Sequence, residues 1–193
     1  MSIIDEAVVA LRMDKLVVVP TDTVYGLAAA LNERAIANVF DAKGREEDKP
    51  VPVLGGAAQD LETIVEFNEP ARKLAARYWP GPLTLILPRA EGFELDLGGS
   101  APTVAVRVPK EPRAIELLRK TGPLAVTSAN VSGEREALTV EEARAALGTK
   151  VGLYIDGGRC AGRPSTIVFV AGERRVLREG AISEREILQM LTS

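Results

Sequence analysis

Histidine is missing altogether from the 193-residue chain, and cysteine occurs once, at Cys160. Without an imidazole there is no Ser-His-Asp or Cys-His nucleophile pair, no His-Glu-x-x-His zinc site and no histidine general base. One thiol cannot supply an intrachain disulfide framework, hold an iron–sulfur cluster within one chain or build a cysteine-rich zinc module. It fits a reducing compartment. Aromatics are only 4% of the residues, which leaves little material for stacking bases. No apolar run reaches the ~18 residues needed to span a bilayer. The opening Met1-Ser2-Ile3-Ile4-Asp5-Glu6 carries acids where a signal peptide carries bases. These absences predict a cytoplasmic protein with no membrane partner. Neither sign of charge dominates: 24 Lys and Arg against 27 Asp and Glu give a net charge of −3. That argues against a general polyanion binder and leaves room for a local basic cleft. Also missing are a GxxxxGK[ST] loop, a GxGxxG turn after a strand, and any carboxylate cluster suited to a protein-held metal. The chemistry must use Lys, Arg, hydroxyls, carboxylates or groups brought by the substrate.

What is present is an alternation of short apolar runs with amphipathic segments. Ser2 predicts a capped helix over 3–13 with Ile4, Val8 and Leu11 on one stripe. The unbroken run at 16–19 reads as a strand buried on both faces, ending at Pro20. Residues 20–26 read as a loop, and a helix follows from Asn32 or Glu33 to about 42. Further strands are expected at 51–54, 83–87, 104–108, 124–126, 151–155, 166–170 and 175–177, with helices from Pro70 to 78 and Pro112 to 120. Thr139-Val140-Glu141-Glu142 and Ser183-Glu184-Arg185-Glu186 read as capping boxes. This alternation predicts an α/β sheet covered by helices. With no linker, charge block or repeat, 1–193 reads as a single domain.

Polar side chains at the ends of buried strands are the informative positions, because strand ends in open α/β sheets face the ligand crevice. Five loops qualify. They are Pro20-Thr21-Asp22-Thr23-Val24-Tyr25-Gly26-Leu27; Lys43-Gly44-Arg45 with Lys49-Pro50; Thr127-Ser128-Ala129-Asn130; the segment through Pro164-Ser165-Thr166; and Arg178-Glu179-Gly180. Each taken alone reads as turn chemistry or a solvated charged face. Arg107, inside an apolar strand between Val106 and Val108, requires an anionic partner or an exit at the sheet edge.

These loops, with Trp79-Pro80-Gly81-Pro82-Leu83-Thr84 and Val106-Arg107-Val108-Pro109, occur in the order found in the YrdC family. The chain resembles its bacterial threonylcarbamoyl-AMP synthases from about residue 8 to 180, eight motifs in sequence. The resemblance implies a twisted, open, mixed α/β sheet flanked by helices around a concave basic cleft. It implies conversion of L-threonine, bicarbonate or CO2, and ATP to threonylcarbamoyl-AMP and pyrophosphate, a nucleotidyl transfer. The product serves threonylcarbamoyladenosine formation on tRNA by a downstream threonylcarbamoyl-transferase complex, with tRNA as a further contact. The family's Lys-Arg-Ser-Asn set falls on Lys43, Arg45, Ser128 and Asn130.

That chemistry suits a chain without histidine: the nucleophile is the carbamate oxygen of threonine, and adenylyl transfer is mostly positioning and electrostatics. The resemblance assigns Lys43, Arg45, Lys49, Ser128, Asn130 and Arg178 to ATP, with Mg²⁺ arriving on its phosphates. It assigns Thr21, Thr23, Arg107 and Ser165 to threonine, Arg107 toward its carboxylate. Glu46 stands where relatives often carry Pro, Val51 where they carry Leu, and Phe169 where an acid is common. Two other readings share the motifs: a non-catalytic RNA-binding module using the same cleft, and a YrdC-fold paralogue without synthase activity.

Overall fold

The computed structural model describes residues 1–44, 49–99 and 101–192. In chain order it comprises α1 (Ile3–Arg12), β1 (Val17–Val19), β2 (Gly26–Ala29), α2 (Glu33–Lys43), β3 (Val53–Leu54), α3 (Glu69–Tyr78), β4 (Leu83–Pro88), β5 (Thr103–Arg107), α4 (Pro112–Thr121), β6 (Leu124–Ser128), α5 (Val140–Leu147), β7 (Leu153–Tyr154), β8 (Thr166–Phe169), β9 (Arg175–Arg178) and α6 (Glu184–Thr192). The helix starts follow their capping residues. Ser2 and Asp5 form a reciprocal box at α1, Asn32 and Asn68 cap α2 and α3, and Pro sits in the first turn of α3 and α4. Ser183 and Glu186 close a box at α6. At α5 Thr139 caps as expected, but the Glu142 carboxylate accepts from the Leu138 N–H rather than from Thr139, so the box is displaced by one residue.

The strands form one open sheet in the order β7-β1-β2-β6-β3-β5-β4-β8-β9, with parallel and antiparallel pairs mixed. β2 was not expected. Gly-Leu-Ala-Ala has little intrinsic strand preference, yet it lies between β1 and β6 in the middle of the sheet. Small residues are required there: a Cβ on Gly26 would sit 2.6 Å from Val126 Cγ1.

Strand alternation divides the core into two clusters. On one face Val18, Leu27, Val53, Leu85, Val106 and Val168 pack with residues of α2, α3, α5 and α6. On the other, Val17, Val19, Ala28, Leu124 and Val126 pack against Ile4, Ala7, Val8 and Leu11 of α1 and Ala114, Leu117 and Leu118 of α4. α1 and α4 cover the part of that face nearest β7, β1 and β2. The same face carries a hollow that extends from β6 and β3 across β5, β4 and β8.

Candidate active site

The hollow has a volume of about 350 Å³. Its floor is the second sheet face itself: Leu54, Ile86, Ala105, Val126 and Ile167, from β3, β4, β5, β6 and β8. The strand-end expectation therefore needs a correction. In a sheet with antiparallel neighbours the ends of successive strands point both ways, so the loops meet over a face rather than along one carboxyl edge. Polar groups rim this apolar floor: Thr21, Thr23, Thr84, Arg107, Ser128, Glu136, Ser165 and Arg178. Six of the ten residues singled out from sequence are among them, drawn from segments over 150 positions apart.

Arg107 is 6% exposed, and it has found its anion inside the protein. Its Nη2 lies 2.7 Å from Asp22 Oδ1, its Nε donates to the Gly81 carbonyl at 2.9 Å, and its Nη1 donates to Thr23 Oγ1 at 2.9 Å. Burial pushes the guanidinium pKa down, the Asp22 carboxylate opposes that shift, and the nearby Arg178 adds to it. Asp22 also accepts from the Lys110 N–H at 2.8 Å, which ties the Thr21–Thr23 turn to the entry of α4. Thr21 gives its proton to the Val24 carbonyl at 2.6 Å and accepts from the N–H groups of Thr23 and Val24. These groups are preorganised by one another.

On the opposite wall Arg178 donates through Nε and Nη2 to the Ser165 carbonyl at 3.2 and 3.0 Å, and through Nη2 to Ser165 Oγ at 3.3 Å. Ser165 Oγ lies 2.8 Å from Thr84 Oγ1. Gly180 permits this approach, since a Cβ there would be 2.2 Å from the Pro164 carbonyl oxygen.

Lys43 does not line the hollow. Its side chain is 1% exposed, and its ammonium donates to the carbonyls of Ser128 and Asn130 and to Asn130 Oδ1. The Ser132 N–H in turn donates to the Lys43 carbonyl at 2.9 Å. In this arrangement Lys43 is a strut that fixes the segment on which Ser128 stands. Asn130 is also buried, its amide donating to the Val131 and Glu134 carbonyls. Lys49 is exposed beside Pro50, which lines the rim. Arg45 and Glu46 lie outside the described residues.

Thr84, Asp22 and Glu136 were not singled out as site residues. A hydroxyl interrupting the apolar run Leu83-Thr84-Leu85-Ile86 was the available signal for the first, and for the second its place between two candidate threonines. Nothing in the sequence marked Glu136. Among the described residues no three His, Cys, Asp or Glu side chains are grouped to hold a metal ion, and no helix is long and apolar enough to cross a membrane.

The family model described as "Telomere recombination", for Sua5, yciO and yrdC, matches residues 9–180. A Mycobacterium tuberculosis protein provisionally named threonylcarbamoyl-AMP synthase is 44% identical over 189 residues, 96% of this chain and 87% of its own length. The crystal structure of Pyrococcus abyssi Sua5 complexed with L-threonine superposes with a TM-score of 0.92 at 38% identity, covering 97% of this chain and 56% of that one. This chain thus spans about half the length of that relative. Escherichia coli YciO superposes with a TM-score of 0.84 at 26% identity, covering 92% and 89%. The open mixed sheet and the motif order agree with these matches, and the chain belongs to the Sua5/yciO/yrdC family.

Proposed function

We propose that this chain is a nucleotidyltransferase that makes L-threonylcarbamoyl-AMP from L-threonine, CO2 or bicarbonate, and ATP. The observation that carries this reading is the single hollow in which hydroxyl donors and two guanidiniums converge over an apolar floor. It is a fitting place for a small zwitterion beside a polyanion. The matches to threonylcarbamoyl-AMP synthases, including a relative crystallised with L-threonine, support the same reading.

In the proposed reaction the threonine amine adds to CO2 and releases a proton. A carbamate oxygen then attacks the α-phosphorus of ATP, and pyrophosphate departs. The protein supplies no covalent nucleophile. Thr21, Thr23, Arg107 and Ser165 frame threonine, and Ser128, Lys49 and Arg178 face the nucleotide, which arrives as its magnesium complex. Asn130 and Lys43 act by holding the Ser128 segment, and Arg45 keeps the phosphate role that the motif assigns. Such groups work by being in place before charge develops, and each charged contact is worth about 2–4 kcal/mol of barrier. The adenylate then passes to a threonylcarbamoyl-transferase complex acting on tRNA in the cytoplasm.

The test is pyrophosphate release by the purified chain, with threonine and bicarbonate omitted in turn. Release that requires both is expected. Release indifferent to threonine, with salt-sensitive tRNA binding instead, would replace the synthase by the RNA-binding reading.

A further inference from the structure

Proton counting on the wall of the hollow singles out a residue that carries no assigned role. A hydroxyl has one proton to donate, and a guanidinium only donates. Thr84 and Ser165 are 5% and 6% exposed, and their oxygens lie 2.8 Å apart. The pair has two protons, and one of them fills the bond between the two oxygens. The other bond reaching the pair comes inward, from Arg178 Nη2 to Ser165 Oγ. One proton is therefore left over. With Arg178 donating to Ser165, the cooperative arrangement passes the Ser165 proton to Thr84 Oγ1 and leaves the Thr84 proton as the surplus one.

The hydroxyls across the hollow differ. Thr21 spends its proton on the Val24 carbonyl, and Thr23 lies 3.0 Å from Thr21 Oγ1. Thr84 and its strand neighbour Ile86 both line the hollow. A buried donor facing a cavity is completed by an acceptor that enters the cavity. The chain begins at a cation, so each link is polarised and the terminal donor suits an anionic oxygen.

We propose that Thr84 is a substrate-binding residue whose hydroxyl, set by Arg178 through Ser165, donates to a carboxylate oxygen of the amino-acid substrate. This rests on the synthase reading. It adds a contact and makes Arg178 a positioning residue toward that contact. A carboxylate rather than a phosphate is favoured because both residues of the pair are buried, and a compact anion reaches a buried hydroxyl more easily than a triphosphate.

The experiment compares the unmodified chain with Thr84→Val and Thr84→Ser. Calorimetric titrations with L-threonine and with a non-hydrolysable ATP analogue are paired with thermal melts. Threonine-dependent pyrophosphate release by the unmodified chain is the control for the synthase reading itself. Thr84→Val should weaken L-threonine about tenfold, the worth of one charge-assisted hydrogen bond, and leave the ATP analogue within about twofold. Thr84→Ser, which keeps the hydroxyl, should stay within about threefold of the unmodified chain for both. An active unmodified chain whose Thr84→Val variant binds threonine normally overturns the inference and spares the synthase reading. Weakened ATP with unchanged threonine overturns the carboxylate assignment. Equal loss of threonine in both variants, together with a lowered melting temperature, reduces Thr84 to packing.

Discussion

Replacing Lys43 by methionine separates a strut from a phosphate contact. Methionine keeps the apolar stem and deletes the ammonium, so the carbonyls of Ser128 and Asn130 and the Asn130 side-chain oxygen each lose a donor. A buried acceptor left without a partner costs about 1–3 kcal/mol. Against this, the ammonium no longer has to be held out of water, which returns several kcal/mol. The Ser128 carbonyl keeps the Asn130 N–H at 3.0 Å, so two neutral acceptors, the Asn130 carbonyl and Oδ1, are left short, and set against that return the net loss is about 2 kcal/mol. In a chain of this size each kcal/mol moves the melting temperature by about 2–4 °C, so a fall of about 4–8 °C is expected. Turnover should be lost with it, because the Ser128 segment moves. Lys43→Arg should not restore either property, since a planar fork cannot direct its donors to oxygens that converge on one point. Thermal melts with and without ATP, set beside pyrophosphate release, read both effects. A variant that melts within about 2 °C of the parent but no longer binds ATP would refute the strut and return Lys43 to the phosphates.

Other predictions concern the supports of the hollow. Gly180→Ala would place a methyl against the Pro164 carbonyl oxygen and Ser165 backbone atoms that cannot withdraw; destabilisation of about 1–3 kcal/mol in urea, with weakened threonine binding, is expected. Asp22→Asn keeps an acceptor for Lys110 but leaves the buried Arg107 without its counter-charge. A loss of about 3–5 kcal/mol follows, and a urea midpoint equal to the parent's would contradict it. Lys120 and Ser2 hold the Asp5 carboxyl far below the usual carboxylate range. A depressed pKa contributes stability above the unfolded value and loses it as pH falls through the folded one. The urea midpoint of the parent should therefore decline below about pH 4 more steeply than that of Asp5→Asn; identical slopes would contradict it.

Most elements were legible because their signals are local: capping residues, first-turn prolines and unbroken aliphatic runs. β2 was not, since Gly26-Leu27-Ala28-Ala29 becomes a strand only when β1 and β6 pair on either side of it. Arg107 stood out because a charge inside an apolar strand demands a partner, whereas threonine is at home in strands and Thr84 gave no comparable alarm. The grouping of Thr21, Thr23, Ser128, Ser165 and Arg178 followed from the motif order. The burial of Lys43 did not. A cation at a helix end reads as surface, and only the tertiary arrangement brings carbonyls 85 and 87 residues away onto its ammonium.

The strand order also governs when the site comes into being. Val17 pairs with Leu153, and the hollow takes its first polar group from Thr21 and its last from Arg178. A chain still emerging from the ribosome can form α1 and β1 early, yet it owns no complete recess until β8 and β9 have docked. Pairings this remote in sequence make folding slow. A ligand that needs the finished recess therefore cannot guide the early steps. It acts as a ratchet at the end, lowering the free energy of the completed molecule alone in proportion to the logarithm of its concentration.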